Sequence, residues 1–338
     1  MNTPPDDFVR VTEEAELAFL ETCFRRAGME AGNAALMSRL LTNSELRGVR
    51  SHGIGWAPGY CQQMREGRLN PRPAVQVVHE NPTTVVLDGD GGLGYIAMVQ
   101  ATELAIAKAR QVGIGMGLVR HVGHYGAAGH YTRMCLDAGC IGFSVQGFRH
   151  DGDARGREPK PSVAFNGYPP MSFSVPAGDE PAVVLDMVAH VLSGYKGEGF
   201  DDLPAKIPGA FFKSIGLVAV STLLGGALTG FTLPAGDAAQ ARWPGASMGG
   251  MVLAIDLASV LPPEVFKAEV DRYARALRET YAPMPGYDQV LLPGAIEEET
   301  LRLHRREGIR FGEPEQQSAR RLSEYLDVPL PWETGANP

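Results

Sequence analysis

Leu87-Asp-Gly-Asp-Gly-Gly-Leu-Gly94 is the stretch on which the fold turns. Gly89 to Gly94 spell G-x-G-x-x-G, and Ala97 to Gln111 reads as a helix, the layout of a dinucleotide-binding βαβ unit. That unit also needs an acid about 20 residues further on, at the end of the second strand, to hold a ribose. Here the next strand, Gly115-Met-Gly-Leu-Val-Arg-His121, ends in bases. Upstream, Ala74 to His79 and Thr83 to Asp88 alternate or run β-branched, which predicts a hairpin leading into the glycines. The turn is therefore read as structural, and the fold as something other than a Rossmann sheet.

Working outward, Glu13 to Arg26, Asn33 to Arg47 and Gly59 to Glu66 carry apolar residues at helical spacing. Asn70-Pro-Arg-Pro73 breaks that period, so a boundary falls near residue 75. Downstream, strands are predicted at Ile141 to Gln146, Met171 to Val175, Val183 to Met187 and Met248 to Asp256, with helices at Ala127 to Ala138 and Leu217 to Leu228. Pro262 to Tyr281, Glu297 to Glu307 and Pro314 to Leu326 read as closing helices that return to the N-terminal ones. The expected organisation is a helical module from residues 1–75 and 262–338 around a sheet domain at 76–261.

Composition narrows the function. With 31 basic and 39 acidic side chains among 338 residues, a formal charge of −8 argues against nucleic acid or anionic membrane as partner. Cys23, Cys61, Cys135 and Cys140 form no CxxC pair and read as reduced thiols of a cytoplasmic protein. The N-terminus lacks the build of a signal peptide, and the longest apolar run, Ile215 to Leu233, is interrupted by glycines and hydroxyl residues, so no bilayer span is expected.

Two clusters carry chemistry. Arg47-Gly-Val-Arg-Ser-His-Gly-Ile-Gly-Trp56 places His52 between glycines just after a helix, where the imidazole can exchange a proton or cap the helix end as a cation. Arg120-His-Val-Gly-His-Tyr-Gly126 supplies His121 and His124, with His130 beyond. Spacings of three and six through glycines do not force a metal site, and none is expected. His124 reads as a proton-transfer group or a structural histidine. Asp186, in the aliphatic strand Val183-Val-Leu-Asp-Met187, requires a partner or backbone donors. Lys213 is placed at a helix start, where it and backbone N–H groups would suit an anion.

Arg47-Gly-Val-Arg-Ser-His-Gly53, with Pro58, Tyr60, Gly67 and Asn70-Pro71, resembles the signature of the malate/L-lactate dehydrogenase family of the second type. The likeness continues through Leu87 to Gly94, Asn166-Gly-Tyr-Pro-Pro170, Val184-Leu-Asp-Met187, Lys213 and Leu291-Leu-Pro-Gly294, nearly the whole chain. It implies a mixed α/β, non-Rossmann fold like that of sulfolactate dehydrogenase, with a largely antiparallel central sheet. It further implies an NAD- or NADP-dependent reductase of C=O or C=N bonds in small 2-oxo-acid-derived or cyclic imine substrates, acting as a homodimer. Carried over residue by residue, the resemblance puts His52, His124 and Asp186 in catalysis, Asp186 orienting an imidazole. It puts Arg50, Ser51, Trp56 and His121 at the substrate, and Gln146, Tyr168, Pro170, Lys213, Ser214 and Gly249 at the cofactor.

Three departures fall on those contacts. Gly167-Tyr-Pro-Pro170 replaces the family's Gly-Thr-Asn-Pro, removing two side-chain hydrogen-bonding groups suited to the nicotinamide. The segment Gly194 to Pro208 is shorter than in the family. Trp56 stands where the family has an arginine that forks onto a substrate carboxylate. A second reading is therefore a pocket redirected to non-redox acid–base chemistry, such as cyclisation, isomerisation or elimination; a third is a silent binding protein, against which the retention of His52, His124, Asp186 and Lys213 speaks.

Overall fold

The computed structural model describes residues 4–148, 169–190, 202–231 and 233–333. The chain begins with β1 (Val9–Val11), α1 (Glu13–Arg26), α2 (Ala31–Leu46) and α3 (Ala57–Arg65), followed by β2 (Gln76–Glu80), β3 (Thr84–Asp88), α4 (Gly94–Val112), β4 (Ile114–Val122), α5 (Gly129–Asp137) and β5 (Cys140–Phe148). Next come β6 (Pro170–Val175), β7 (Val183–Val188), α6 (Leu203–Lys206), α7 (Pro208–Gly225), α8 (Pro234–Arg242) and β8 (Met248–Asp256). The last elements are α9 (Pro263–Thr280), α10 (Ala295–Glu307), β9 (Ile309–Phe311) and α11 (Glu313–Leu326).

Among the described residues, seven strands form one sheet in the order β2-β3-β4-β8-β5-β6-β7, in which only β3 and β4 run parallel. The fold is mixed α/β with a largely antiparallel sheet. β2 and β3 make the expected hairpin. The step from β3 through α4 to β4 is nevertheless a parallel crossover, closer to a dinucleotide-binding unit than the sequence implied. What excludes a diphosphate is the space at the head of α4. The glycine turn is zipped onto the segment after β4: Gly89 and Gly91 N–H donate to the Arg120 and His121 carbonyls, Gly94 N–H to that of His124, and Gly123 N–H back to Gly92. A Cβ on Gly94 would lie 2.7 Å from the Gly123 carbonyl oxygen and 2.7 Å from Tyr125 Cβ. The helix N-terminus that would receive phosphate is filled by the chain carrying His124.

One core joins α1, α2 and α3 to α10 and α11 through Phe19, Phe24, Met37, Leu41, Met64, Leu301 and Leu322. α1 is started by Thr12, whose hydroxyl accepts the Ala15 N–H at 3.2 Å, and β1 pairs antiparallel with β9. α9, expected in this module, docks elsewhere: Asp271 accepts N–H bonds from Gly178, Asp179 and Glu180 in the β6–β7 turn, and Arg278 pairs with Glu180. A carboxylate that satisfies three consecutive turn amides holds the helix at the sheet edge.

α7 covers β5 with Phe211, Ser214, Val218, Ser221 and Gly225, a stripe of helical period. Gly147 and Gly225 let the two backbones touch; a Cβ on Gly147 would sit 2.3 Å from the Gly226 nitrogen. Pro208–Thr229, with mean hydropathy 1.7, is long and apolar enough to cross a membrane by length and composition alone. Its backbone contact with β5 is the packing of a helix on a sheet.

Candidate active site

After α2 the backbone turns at Gly48 and makes two short 3-10 turns, Arg50–His52 and Ile54–Trp56, before entering α3. Two acids fix this loop. Glu45, 1% exposed at the end of α2, accepts the Ile54 N–H at 2.8 Å. A Cβ on Gly53 would lie 1.8 Å from that carboxylate oxygen, so the loop rests on the carboxyl only because residue 53 is glycine. Glu315 on α11 binds Arg50 in a fork, at 2.9 Å to Nε and 2.5 Å to Nη2. Arg50, expected at the substrate, is thus occupied in tying the loop to α11. Ser51 bonds His52 Nδ1 through its hydroxyl at 2.9 Å, and its carbonyl accepts the Trp56 indole N–H at 2.8 Å.

The facing segment meets this loop as the sequence clusters implied. His124 lies between the rings of His52, at 5.8 Å, and Trp56, at 4.7 Å, both stacked. Its Nδ1 is 2.5 Å from the Tyr60 hydroxyl, which contacts the Tyr95 hydroxyl at 3.4 Å. With Nδ1–H donating to Tyr60 and Tyr60 to Tyr95, Nε2 keeps a lone pair, as a proton acceptor requires. Burial pushes the His124 pKa down to about 3, the nearby His52 adding to the effect, and burial also lowers that of His52. Both rings are therefore neutral at pH 7. Burial holds the Tyr60 hydroxyl well above its ordinary value, and it stays protonated. Trp56, 43% exposed with its N–H already bonded, presents an apolar face beside the imidazoles.

Several expected contacts differ. His121 turns to Asp88, Nδ1 to Oδ2 at 2.7 Å, in a left-handed backbone conformation and nearly fully buried, so its imidazole braces the strand end. Gln146 spends its amide on the histidine segment: Oε1 accepts the Tyr125 N–H and Nε2 donates to the Gly123 carbonyl, which makes it a support for His124. Asp186 forms no hydrogen bond with an imidazole among the described residues. Burial raises its pKa to about 6, against the pull of Arg133 and the Gly129 N–H. Lys213 is exposed in the second turn of α7, because that helix begins at Pro208. Ser214 is buried with its hydroxyl unpartnered. Gly249 is a packing glycine; a Cβ there would meet the Gly225 carbonyl oxygen and Thr229 Oγ1, each at 2.6 Å. Pro170 opens β6, and Tyr168 lies outside the described residues, as does the polar loop Arg149 to Pro161.

Sequence reasoning passed over Glu45, Glu315, Tyr95 and the Asp88–His121 pair. Glu45 had a signal in its place at the end of the helix that precedes the histidine loop; Glu315 had none, since its partner lies 265 residues away. Among the described residues, no cluster of three His, Cys, Asp or Glu could hold a metal ion.

The malate/L-lactate dehydrogenase family profile matches residues 11–208 and 199–318. L-Sulfolactate dehydrogenase of Methanocaldococcus jannaschii is 27% identical over 323 residues, 88% of this chain and 92% of that one. Ureidoglycolate dehydrogenase (NAD(+)) of Escherichia coli is 24% identical, covering 90% and 93%. In fold, malate dehydrogenase of Pyrococcus horikoshii superposes with a TM-score of 0.79 at 21% identity, over 97% of this chain and 98% of that one. A profile spanning most of the chain, over a site whose two histidine segments meet, places this chain in the malate/L-lactate dehydrogenase family.

Proposed function

We propose that this protein is a nicotinamide-dependent oxidoreductase that interconverts C–OH or C–NH with C=O or C=N in a small 2-oxo-acid-derived or cyclic imine substrate. The observation that carries this reading is His124: a neutral imidazole fixed by Tyr60, stacked between His52 and Trp56, in a chain of this family. The cofactor, when bound, supplies or accepts the hydride. The chain's own residues handle the proton and the orientation. His124 Nε2 exchanges the proton, while the Tyr60–Tyr95 pair holds the tautomer. His52, anchored by Ser51, is the second imidazole within reach of the same substrate. Trp56 offers a flat face, which favours a ring or aliphatic substituent over a free carboxylate at that point.

The residues fit a nicotinamide dinucleotide, though not at the glycine turn. A cleft of about 600 Å³ lined by His130, Arg47 and Arg133, which His130 and Tyr95 link to His124, has the charge and size for an anionic ligand. We also infer a cytoplasmic homodimer. In its support, the four cysteines are free and buried, and α7 leaves Phe212 (79% exposed), Val220 and Leu223 uncovered.

Fluorescence titration with NADH and NADPH tests the reading. Quenching at micromolar concentration, lost in Trp56→Phe, is expected, and His124→Ala should cost about 10²–10⁴-fold in turnover on the substrate found. Absence of binding of both nucleotides up to millimolar concentration would refute redox chemistry and leave acid–base chemistry without hydride transfer.

A further inference from the structure

The cleft of about 600 Å³ lies between α2, α5, α10 and the β6–β7 turn, with His130 in its wall. Arg133, on its α5 wall, is a partly buried guanidinium that makes no hydrogen bond and no ion pair among the described residues. Its environment disfavours the charge: burial first, then Arg47, lower its pKa to about 10, while Asp186, Glu297 and Glu298 pull the other way without closing a pair. A cation left in that state is costly unless something completes its hydrogen bonding.

The other charges of the cleft show what would complete it. Arg47 is bound to Glu298 at 3.0 Å, and Glu298 also faces Arg302 at 3.6 Å. Glu180 is neutralised from outside the cleft by Arg278 and Arg275. Asp137, an acid on the same wall, has its pKa raised by burial, with Arg47 and Arg133 opposing. Arg39 and Lys267 line the opening, and Asp179 stands on the rim. Two of the four lining acids are therefore already paired, whereas Arg133 is not. The rim is also preformed, since Asp271 fixes the Gly178, Asp179 and Glu180 amides.

We propose that Arg133 is the anchor of an anion site that takes a phosphate-class group, with Arg47 and Arg39 as its neighbours. This extends the oxidoreductase reading without resting on His124. Two sources share the chemistry: the diphosphate of the nicotinamide dinucleotide, or a separate phosphorylated ligand. His130 joins the cleft to the catalytic pocket, its ring 6.1 Å from that of Tyr95, which is 6.4 Å from that of His124. An anion at Arg133 would thus sit two aromatic rings from the imidazole that exchanges the proton.

The test is calorimetric titration of the full chain and of Arg133→Gln and Arg133→Lys with inorganic pyrophosphate, NADH and NADPH, with thermal melting as the control for folding. Wild-type protein is expected to bind pyrophosphate, and Arg133→Gln to weaken it about 10–100-fold, the loss of one or two charge-assisted bonds. Arg133→Lys should recover part of that affinity, since it restores the charge without the fork. If pyrophosphate competes with NADH, the dinucleotide's own phosphates occupy the site; if both bind together, the ligand is separate. Equal pyrophosphate affinity in wild type and Arg133→Gln, or no binding by folded wild-type protein, overturns the proposal. Should NADH bind and turn over equally well in Arg133→Gln while pyrophosphate affinity is also unchanged, the oxidoreductase reading survives and this one fails. Should pyrophosphate binding depend on Arg133 in a protein that binds neither nucleotide, the reverse holds.

Discussion

Glu45→Gln should stabilise this protein, and the gain should grow with pH. The carboxyl lies under the histidine loop with Oε1 on the Ile54 N–H and Oε2 unpartnered, and Glu16, fully buried, has neither oxygen partnered. Burial raises the Glu45 pKa from 4.5 to about 8; the Glu315 charge adds to the rise, while the Ile54 N–H and Arg50 pull back. A group with a raised folded-state pKa contributes stability that is fully present below pH 4.5 and is lost as pH climbs through 8. Each pH unit inside that window removes about 1.4 kcal/mol, so the passage from pH 5.5 to 8 removes roughly 3 kcal/mol. Glutamine keeps the carbonyl that accepts the Ile54 N–H and cannot ionise. Urea unfolding of both proteins at pH 5.5 and 8 isolates the effect of Glu45 together with the neighbouring acids it acts on, Glu16 and Glu315, because the remote titrating groups cancel in the difference. A wild-type-minus-Gln difference that is the same at both pH values would refute the buried, protonated Glu45.

Four shorter tests address the rest of the site and scaffold. Tyr60→Phe removes the hydroxyl on His124 Nδ1 and should lower turnover about 3–10-fold with little change in the melting temperature. His130, buried and pushed down to about 3, should make the fold acid-sensitive. Its contribution is full above pH 6.5 and falls by about 1.4 kcal/mol per pH unit below that, so wild type should lose roughly 2 kcal/mol more than His130→Asn between pH 7 and 5 in urea melts. Gly147→Ala drives a Cβ to 2.3 Å from the Gly226 nitrogen and should destabilise by about 1–3 kcal/mol or more, read by calorimetry. Trp56→Arg should raise kcat/KM on simple 2-oxo acids by about 10–100-fold relative to cyclic substrates, and unchanged selectivity would show that the indole does not face the substrate.

The sequence made the meeting of the Arg47–Trp56 and Arg120–Gly126 segments legible, because glycine spacing marks where a chain must turn tightly and the family pattern ties both to one site. The strands and the hairpin before the glycines were legible from strand period, and the resemblance implied that the sheet is largely antiparallel. What it hid were contacts set by tertiary packing. Asp88 binds His121 because their strands pair in parallel, a register that no local pattern specifies. Lys213 seemed placed for an anion until the true start of α7, one and a half turns earlier, left it in solvent. The resemblance implied an imidazole partner for Asp186, whose strand alone called only for a partner or backbone donors; its carboxyl sits over Gly129, where a Cβ would be 2.5 Å from Oδ2. Arg133 drew no notice, since a single arginine on a helix is ordinary until the space around it is known.

The β1–β9 pairing sets a timetable. Arg10 and Glu307, joined across that ribbon, are 297 positions apart, and the core of α1, α2 and α3 closes only when Leu301, Phe311 and Leu322 arrive. At about 5–20 residues per second, the ribosome needs roughly 15–60 s to deliver them. Through that interval Phe19, Phe24 and Leu41 lack their final partners, and the loop bearing His52 lacks the Glu315 that will hold Arg50. The central sheet, whose strands are complete by Asp256, can assemble first. A nascent chain would therefore own a finished sheet while its histidine loop is still unbraced, and any product stopped before α11 would carry His52 and His124 without the clamp that fixes their geometry.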